Sequence, residues 1–297
     1  LKAAVVAEQL RRIAGVDIPV TVRELPGGPL GWRSRTRLAV DEMGHPGFRV
    51  HRSHAVLPVP ACPLTAPGSL DPVLARRWGP GGDLEVVTDD AGQLHLAWLR
   101  PGRPAAQLRG TGRAVWHAAG RRWELSAHGF WQVHPSAADA LAALVGEWAA
   151  APLGGTTWDL YGGVGLFASV LAAQVGPAGS VTVVEASRQA AADGAAALAD
   201  LEQVSFVTGQ VEHVLDRLPA APDVVVLDPP RRGVGREVAA AVVGAGPARI
   251  VHVACDPAAL ARDIAAYLKG SYRLLAIRAL DAFPMTHHVE CVAALAR

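Results

Sequence analysis

The sequence has few of the features that mark secreted, membrane-spanning or disordered proteins. Its three cysteines are odd in number and far apart, which argues against a disulfide scaffold. No apolar run approaches the roughly 18 residues of a membrane span, and the N-terminus lacks the pattern of an export signal. Only 19% of the residues are charged while 51% are hydrophobic, unlike a disordered chain. We therefore expect a folded cytoplasmic protein, without a membrane partner, that forms two domains from 297 residues.

Lysine is also scarce, because Lys2 and Lys269 are the only two, and arginine carries most of the positive charge. That charge is uneven along the chain. Residues 1–128 contain 17 Lys and Arg against 11 Asp and Glu, whereas the remainder contains 11 against 16. A basic first half and an acidic second half are compatible with a nucleic-acid platform joined to a catalytic domain.

The first half reads as strands separated by Gly and Pro turns, and one strand carries regularly spaced arginines. In residues 32–38, a period of two places Arg33, Arg35 and Arg37 on one face. The face is either simply solvated or contacts RNA phosphates, to which basic side chains supply much of the affinity. The spacing alone does not separate these alternatives.

The pattern changes near Ala127. Short β-rich runs then alternate with Ala-rich segments of helical length, beginning with a helix predicted from Ser136 to about Ala150. Such alternation predicts a parallel, doubly wound α/β sheet. We therefore expect a β-rich, RNA-contacting domain over residues 1–126 and an α/β catalytic domain over residues 127–297.

A glycine-rich turn follows the first predicted α/β strand, in residues 159–167. Gly162, Gly163 and Gly165 would let the backbone approach a ligand where any Cβ would collide. Glu185 ends the next strand, twenty positions after Gly165, as an acceptor for ribose hydroxyls should. A nucleoside-type cofactor is indicated. The same residues also fit the dinucleotide pattern, so NAD remains an alternative at this point.

Asp228-Pro229-Pro230-Arg231 follows the apolar run Val224–Leu227. A charged residue at the carboxyl end of a parallel strand lies in the crevice where such sheets bind ligands. The two prolines remove backbone donors and stiffen the turn. The alternative is an ordinary surface turn, which the position after a strand of the sheet makes less attractive.

Cys255 ends another apolar strand, and Asp256 and Pro257 have the pattern of an N-cap and first helical residue. A thiol near a helix N-terminus is placed where its thiolate is stabilised, which predicts a reactive cysteine. The alternative is a small buried residue. Further along, Glu290 lies in an apolar strand and is costly to bury without a partner, so it is a candidate base facing a cleft. Its neighbour Cys291 points to the opposite face and is predicted to be core.

Taken together, these motifs resemble the uracil-C5 RNA methyltransferase family, which includes tRNA (uracil-5-)-methyltransferase and the 23S rRNA uracil-C5 enzymes. The resemblance runs from about Trp32 to the end of the chain. Its carriers are the Phe-Trp-Gln-Val, Asp-x-Tyr-Gly-Gly, Asp-Pro-Pro-Arg, Cys-Asp-Pro-Ala and His-Val-Glu motifs, beginning at residues 130, 159, 228, 255 and 288. The fold it implies is a Rossmann-like, seven-stranded methyltransferase domain preceded by a smaller β-rich domain.

The resemblance also implies roles for individual residues. Cys255 would be the nucleophile and Glu290 the base. The cofactor would be S-adenosylmethionine, and the residues that would bind it are Gln132, Tyr161, Gly163, Glu185 and Asp228. The partner would be rRNA or tRNA, bound by a monomer.

Some positions depart from the family pattern. His134 and Leu166 stand where some members have Asn, and Gln210 stands where members often have Asp or Asn facing adenine, so cofactor contacts there are in doubt. Cys62 resembles the last of four cysteines that hold an iron-sulfur cluster in some members. Since one cysteine cannot hold a cluster, we expect neither a cluster nor another metal in this chain.

Three rival interpretations remain. A methyltransferase acting on an exocyclic nitrogen would use Asp-Pro-Pro to orient an amine, but would need no thiol at Cys255. Some cytosine-C5 RNA enzymes use two active-site cysteines, and no second one lies near Asp228 in the sequence. A silent RNA-binding protein that keeps the fold would have little reason to retain both Cys255 and Glu290.

Overall fold

The computed structural model describes residues 1–297, which form two compact units. The α/β unit comprises Leu1–Pro26 and Ala137–Arg297, and the β unit comprises Gly27–Ser136. These bounds differ from the predicted division at residue 126 in two places. Residues 1–26 belong with the second half of the chain, and residues 127–136 belong with the β unit.

Strands and helices alternate in the second half and strands dominate the first. The strands are β1 (Thr21–Glu24), β2 (Arg35–Val40), β3 (Pro46–Arg49), β4 (Val56–Pro58), β5 (Asp83–Thr88), β6 (Leu94–Leu99), β7 (Ala106–Arg109), β8 (Arg113–Ala118), β9 (Arg121–Ser126), β10 (Thr156–Leu160), β11 (Ser180–Glu185), β12 (Val204–Thr208), β13 (Val224–Leu227), β14 (Arg249–Ala254), β15 (Arg273–Asp281) and β16 (Glu290–Ala296). The α-helices are α1 (Lys2–Gln9), α2 (Asp71–Leu74), α3 (Ala137–Ala149), α4 (Leu166–Val175), α5 (Arg188–Ala197), α6 (Gly235–Ala245) and α7 (Pro257–Lys269). None of the helices has both the length and the apolarity to span a bilayer.

The α/β unit is built on one eight-stranded sheet in the order β1-β15-β16-β14-β13-β10-β11-β12. Every strand is parallel to its neighbours except β16, which runs antiparallel between β14 and β15. All four residues of β13 are buried, as expected for a strand covered on both faces. The predicted fold class is confirmed, with one strand more than the seven expected.

The additional strand is β1, which pairs in parallel with β15 so that Thr21 lies opposite Arg278. The helix before it also belongs to this unit, because Val6 and Leu10 are buried in the main hydrophobic core. In addition, the Lys2 ammonium lies 2.7 Å from the Asp281 carboxylate. These contacts explain why the first 26 residues pack with the α/β sheet.

The β unit contains a six-stranded antiparallel sheet, ordered β4-β3-β2-β5-β6-β7, and the separate hairpin β8–β9. Its core is formed by apolar side chains of β2, β5, β6 and α2, including Leu38, Leu84 and Val73. Residues 127–136 are tied to this unit. The backbone N–H of Ser34 donates to the carbonyl of Val133 at 2.9 Å, and its hydroxyl donates to the same oxygen at 2.9 Å.

Candidate active site

Three predicted site residues of the α/β unit immediately follow parallel neighbouring strands. Tyr161 follows β10, Asp228 follows β13 and Cys255 follows β14, in sheet order β10-β13-β14. The backbone N–H of Asp228 donates to the Leu160 carbonyl at 3.2 Å, which holds the end of β13 beside the end of β10. Because ligands of such sheets bind outside the carboxyl ends of the strands, these side chains border one crevice.

Glu290 is brought to the same edge by the antiparallel strand β16. Ala254 of β14 is paired with Cys291 of β16. Cys255 follows Ala254 and Glu290 precedes Cys291, and the charge of Glu290 raises the pKa of the Cys255 thiol. The glutamate is only 4% exposed, and Cys291 is fully buried, as its alternation on the strand predicts.

The two carboxyls of the crevice, Asp228 and Glu290, both have raised pKa values. Burial raises the pKa of Asp228 to about 7. Burial, followed by the nearby charge of Asp228, raises the pKa of Glu290 well above its usual range. Two carboxyls in one poorly solvated site cannot easily ionise together, so at least one carries a proton near neutral pH.

The pKa of the Cys255 thiol is also raised. Burial, and then the neighbouring charges of Glu290 and Asp228, raise its pKa to about 11. The helix N-terminus therefore does not leave this thiol with a lowered pKa. The helix does begin as predicted, since the Asp256 carboxylate caps it by accepting the N–H of Ala259 at 2.7 Å. The two acidic neighbours and burial outweigh that favourable end.

Arg231 is the cation that opposes these carboxyls. Its charge lowers the pKa of both Glu290 and Cys255, though less than burial raises them. The guanidinium lies 3.3–3.4 Å from the two ring nitrogens of His288, which packs in turn against His287 with ring centroids 4.0 Å apart. The Asp-Pro-Pro-Arg turn thus contributes both a carboxyl and a cation to the crevice.

The glycine-rich turn is closely packed against its own unit. A Cβ at Gly162 would lie 2.6 Å from the Val183 side chain, and one at Gly165, where φ is +83°, would lie 2.9 Å from Leu198. A Cβ at Gly163 would meet no atom within 4 Å. The collisions expected at Gly162 and Gly165 are therefore with the protein itself, and only Gly163 faces open space.

Glu185 connects the second strand to this turn. One carboxylate oxygen accepts the N–H of Gly163 at 3.0 Å, and the other accepts the N–H of Ser187 at 2.6 Å. Each oxygen keeps further acceptor capacity, which is what vicinal ribose hydroxyls require.

Asp159 of β10 is a buried acid, and no role was assigned to it from the sequence. It is fully buried, and one oxygen accepts the N–H of Ala168 at 2.9 Å. The other oxygen, Oδ1, has no hydrogen-bond partner. Burial raises the pKa of this carboxyl to about 8. The signal in the sequence was a carboxylate inside an apolar strand directly before a glycine turn, which is costly without a purpose.

Gln132 is the one predicted site residue outside the α/β unit. It is buried within the β unit. Its neighbours are firmly held, since Trp131 packs against Trp116 and Trp123 with ring centroids about 6 Å apart. Its assignment to the cofactor remains a prediction.

The three arginines of the β unit do not form one free face. The Arg35 guanidinium turns inward, where it donates to the carbonyls of Ala127 and Gly129 and lies 3.5 Å from the Glu85 carboxylate. Arg37 also pairs with Glu85, at 3.3 Å, while its side chain is 56% exposed. Arg33 lies over the Trp32 ring at 5.0 Å. The prediction of three parallel RNA-binding guanidiniums is thus wrong for Arg35, because its position is used to hold the segment after β9.

Cys62 lies in the β unit, separate from the other two cysteines. It lines a cavity of about 410 Å³ together with apolar residues that include Leu30, Pro63 and Leu70. All three cysteines are free thiols.

An almost entirely parallel sheet with a glycine turn after its first α/β strand, an acid ending the next strand and one antiparallel strand near an edge is the architecture of the S-adenosylmethionine-dependent methyltransferases. The structure superposes on the Pyrococcus abyssi tRNA (uracil-54, C5)-methyltransferase, solved in complex with S-adenosyl-L-homocysteine, with a TM-score of 0.74. The match covers 99% of this chain and 82% of that one at 21% sequence identity, so it establishes a shared fold.

The sequence comparisons are more specific. The profile of the tRNA (uracil-5-)-methyltransferase family matches residues 168–297. A protein of Streptomyces avermitilis, named as an uncharacterized RNA methyltransferase, is 39% identical over 99% of this chain and 76% of its own length. One from Corynebacterium diphtheriae with the same description is 37% identical over 100% and 76%. The chain belongs to the tRNA (uracil-5-)-methyltransferase family of RNA methyltransferases, which confirms the family predicted from its motifs.

Proposed function

We propose that this enzyme transfers a methyl group from S-adenosylmethionine to carbon 5 of a specific uridine in structured RNA, through a covalent bond between Cys255 and carbon 6. The observation that carries the proposal is that Cys255 and Glu290 adjoin the paired residues Ala254 and Cys291 of β14 and β16, with the charges of Glu290 and Asp228 acting on the thiol. A thiol and a carboxyl at one edge are the two groups that addition to a pyrimidine and removal of its proton require.

The α/β unit offers a fitting place for the cofactor. Glu185 has acceptor capacity for ribose hydroxyls, Gly163 faces open space, and Oδ1 of Asp159, near the end of β10, is a buried polar atom without a hydrogen-bond partner. Tyr161 stands in the left-handed region at φ +60°, a strained conformation that often marks a functional position. We assign cofactor binding to Tyr161, Gly163, Glu185 and Asp228, and Gln132 is kept as a further predicted cofactor residue. When bound, S-adenosylmethionine supplies an electrophilic methyl group.

The residues then act in sequence on the uracil ring. Uracil carbon 5 is a poor nucleophile, so the Cys255 sulfur adds to carbon 6 and generates an enolate. Carbon 5 forms its bond to the methyl group while the bond from that methyl to sulfonium sulfur breaks. Glu290 removes the remaining proton from carbon 5, the carbon 6–sulfur bond breaks, and the ring double bond returns with Cys255 released.

The first step needs a proton acceptor, because a thiol with a pKa of about 11 is protonated at neutral pH. Asp228, with a pKa of about 7, is largely ionised at pH 8 and borders the same crevice, so it can accept that proton. The positive charge of a bound sulfonium ion would lower the pKa of Asp228, Glu290 and Cys255, so that both carboxyls can be ionised and each can accept one of the two protons. The target uridine must leave its base stack, since a stacked ring is not open to both the thiol and the methyl donor.

The decisive experiment uses RNA that contains 5-fluorouridine. Fluorine cannot leave as a cation, so the adduct with Cys255 should persist when the wild-type protein is incubated with this RNA and S-adenosylmethionine. We expect a protein-RNA band that survives denaturation, retained in C62A and lost in C255A. An adduct that survives in C255A, or its absence in protein that methylates ordinary RNA, would refute the assignment of the nucleophile.

The same assay can separate the possible substrates. Transfer RNA and 23S rRNA fragments are offered in parallel, and the modified nucleoside is identified by mass spectrometry after digestion. We expect 5-methyluridine from one RNA class. A methyl group on an exocyclic nitrogen would instead support the rival enzyme class.

Arg33 and Arg37 remain candidates for phosphate contacts of the β unit. R33A/R37A should weaken RNA binding and reduce the salt dependence of affinity, because fewer counterions are released. An unchanged salt dependence of RNA affinity would show that Arg33 and Arg37 are solvated side chains that do not contact RNA phosphates. Arg35 is left intact in this test because its guanidinium supports residues 127–129.

A further inference from the structure

A buried carboxylate lies beneath the turn that carries Asp228 and Arg231. Asp263 of α7 is buried, and its Oδ2 accepts the backbone N–H of Val234 at 3.0 Å. The N–H groups of Val234 and Gly235 both lower the pKa of this acid, which burial nevertheless raises to about 6. The residues from Asp228 to Gly235, here called the 228–235 loop, are therefore fastened from below by one side chain.

The groups behind Asp263 are polar and fully buried. His252 of β14 has its Nε2 atom 3.6 Å from Asp263 Oδ2, and its Nδ1 atom lies 3.2 Å from the hydroxyl of Tyr267. Burial lowers the pKa of His252 to about 3, so the imidazole is neutral near pH 7. His252 and Tyr267 therefore do not supply a cation to Asp263, and neither side chain reaches solvent. The backbone of the loop is the direct hydrogen-bonding partner of Asp263.

We infer that Asp263 is a positioning residue that fixes the 228–235 loop relative to Cys255; the inference rests on the proposed function for its catalytic consequence. The connection is short and stiff. Helix α7 begins at Pro257, two residues after Cys255, and its second turn presents Asp263 to the loop. One helix therefore holds both the strand end that carries the thiol and the turn that carries Asp228.

The geometry of the loop supports this role. A Cβ at Gly233 would lie 2.5 Å from Asp263 Oδ2, so the absence of a side chain there lets the carboxylate reach the backbone. Gly235 makes a matched comparison. The two glycines have nearly equal φ, +81° and +78°, yet a Cβ at Gly235 would meet no atom within 4 Å. Alanine at either position meets the same backbone strain, but only alanine at Gly233 displaces Asp263.

The test compares D263A, D263N, G233A and G235A in the full chain, with D216A as a control at an exposed aspartate of the same unit. Three quantities are measured: hydrogen exchange of the amides of residues 231–236, the affinity for S-adenosylmethionine, and kcat and KM for RNA methylation. D263A should accelerate loop exchange and lower kcat about 10- to 100-fold, since a displacement near 1 Å has effects of that size. The affinity for S-adenosylmethionine should fall as well, because the loop carries Asp228, which we assign to cofactor binding. D263N keeps an acceptor oxygen and should retain kcat within about threefold.

The glycine pair provides the second arm. G233A should reproduce the loss of kcat, whereas G235A and D216A should not. Combining G233A with D263A should cost little beyond D263A alone, because the colliding carboxylate is already absent. Equal losses in D263A and D263N, or equal losses in G233A and G235A, would overturn the positioning role. Unchanged loop exchange in D263A would overturn it whatever RNA the wild-type enzyme methylates, which separates its failure from a failure of the proposed function.

Discussion

Two glutamates, one in each unit, are buried to nearly the same extent, but their pKa values are shifted in opposite directions. Glu85 of the β unit is 5% exposed and Glu290 of the α/β unit is 4% exposed. Glu85 accepts a hydrogen bond from His128 at 2.8 Å and lies beside Arg35 and Arg37, and these partners lower its pKa although burial opposes them. Glu290 has Asp228 as its principal charged neighbour, and its pKa rises.

The difference shows what burial alone leaves undecided. A carboxyl taken out of water favours its neutral form unless cations or donors are arranged around it. The β unit arranges them, and Glu85 becomes a fixed negative centre that holds arginines in place. The α/β unit sets a second acid there instead, so Glu290 and Asp228 hold their protons more tightly than ordinary carboxyls do. The first arrangement suits a scaffold and the second suits proton transfer.

The largest expected effect comes from making the same substitution in both units. E85Q should destabilise the protein by about 3 kcal/mol, because it leaves the partly buried Arg35 guanidinium without its counterion. E290Q should change stability by less than about 1 kcal/mol, since glutamine resembles the protonated acid, while methyl transfer is lost. Urea unfolding monitored by circular dichroism measures both. Equal losses of stability would show that the two carboxyls are held in the same way.

The second-largest effect is expected in the pH dependence of stability, which should have opposite signs for Asp228 and Glu85. The raised pKa of Asp228 means that the folded protein resists its ionisation, so this group costs stability as pH rises from about 4 to about 7, and the full cost remains above that. D228N should therefore raise the melting temperature at pH 8 by about 2–6 °C and change it little at pH 4.

The lowered pKa of Glu85 has the opposite sign. Its stabilisation is present above the unfolded pKa of about 4.5 and is lost as pH falls through the lower folded value. E85Q should consequently cost more at pH 7 than at pH 3, as measured by thermal unfolding at both values. A D228N benefit that is independent of pH would argue that packing, rather than ionisation, explains it.

A smaller effect should appear in the reactivity of Cys255. In a C62S background, alkylation by iodoacetamide should follow the thiolate fraction and keep rising above pH 9, because the thiol pKa is about 11. E290Q/D228N removes the negative charge that these two carboxyls carry between them and should speed the reaction at pH 8 by roughly three- to tenfold. Site-specific mass spectrometry measures the rate. Burial, the leading cause of the shift, remains, so a return to the behaviour of a free thiol is not expected.

The smallest effect is expected at the edge of the Glu85 cluster. R37A should cost less than about 1 kcal/mol in urea unfolding, because its side chain is mostly exposed and its ion pair is screened by water. R35A should cost clearly more, since two backbone carbonyls of residues 127–129 lose their donor. Similar costs for both variants would mean that the inward turn of Arg35 is unimportant.

Much of the α/β unit could be predicted because each local signal there agrees with the fold. The apolar run Val224–Leu227 is strand β13 in the structure, and the helix predicted from Ser136 to about Ala150 is α3. Motifs placed at strand ends were brought to one edge by the sheet order, which general rules for parallel sheets anticipate.

The errors arise where the outcome depends on distant partners. The strand β1 is short and mostly exposed, and its pairing with β15 joins residues more than two hundred positions apart. The inward direction of Arg35 depends on carbonyls of residues 127 and 129, and the pKa of Cys255 depends on acids from two other strands. The periodicity of a sequence predicts which face of a strand a side chain occupies. It does not predict which distant residues that side chain will contact.

The pairing of β1 with β15 has a consequence for biosynthesis. As the nascent chain leaves the ribosome, residues 27–136 can close their own sheet early, while residues 21–24 must wait for residues 278–281 to be translated. The large sheet is therefore completed only after residues 278–281 have been made, when β1 pairs with β15 across the intervening β unit of the sequence. A circular permutant that begins at residue 137 and joins Arg297 to Leu1 by a linker would leave only residues 282–297, the linker and residues 1–20 between β15 and β1, and should reach its native state faster.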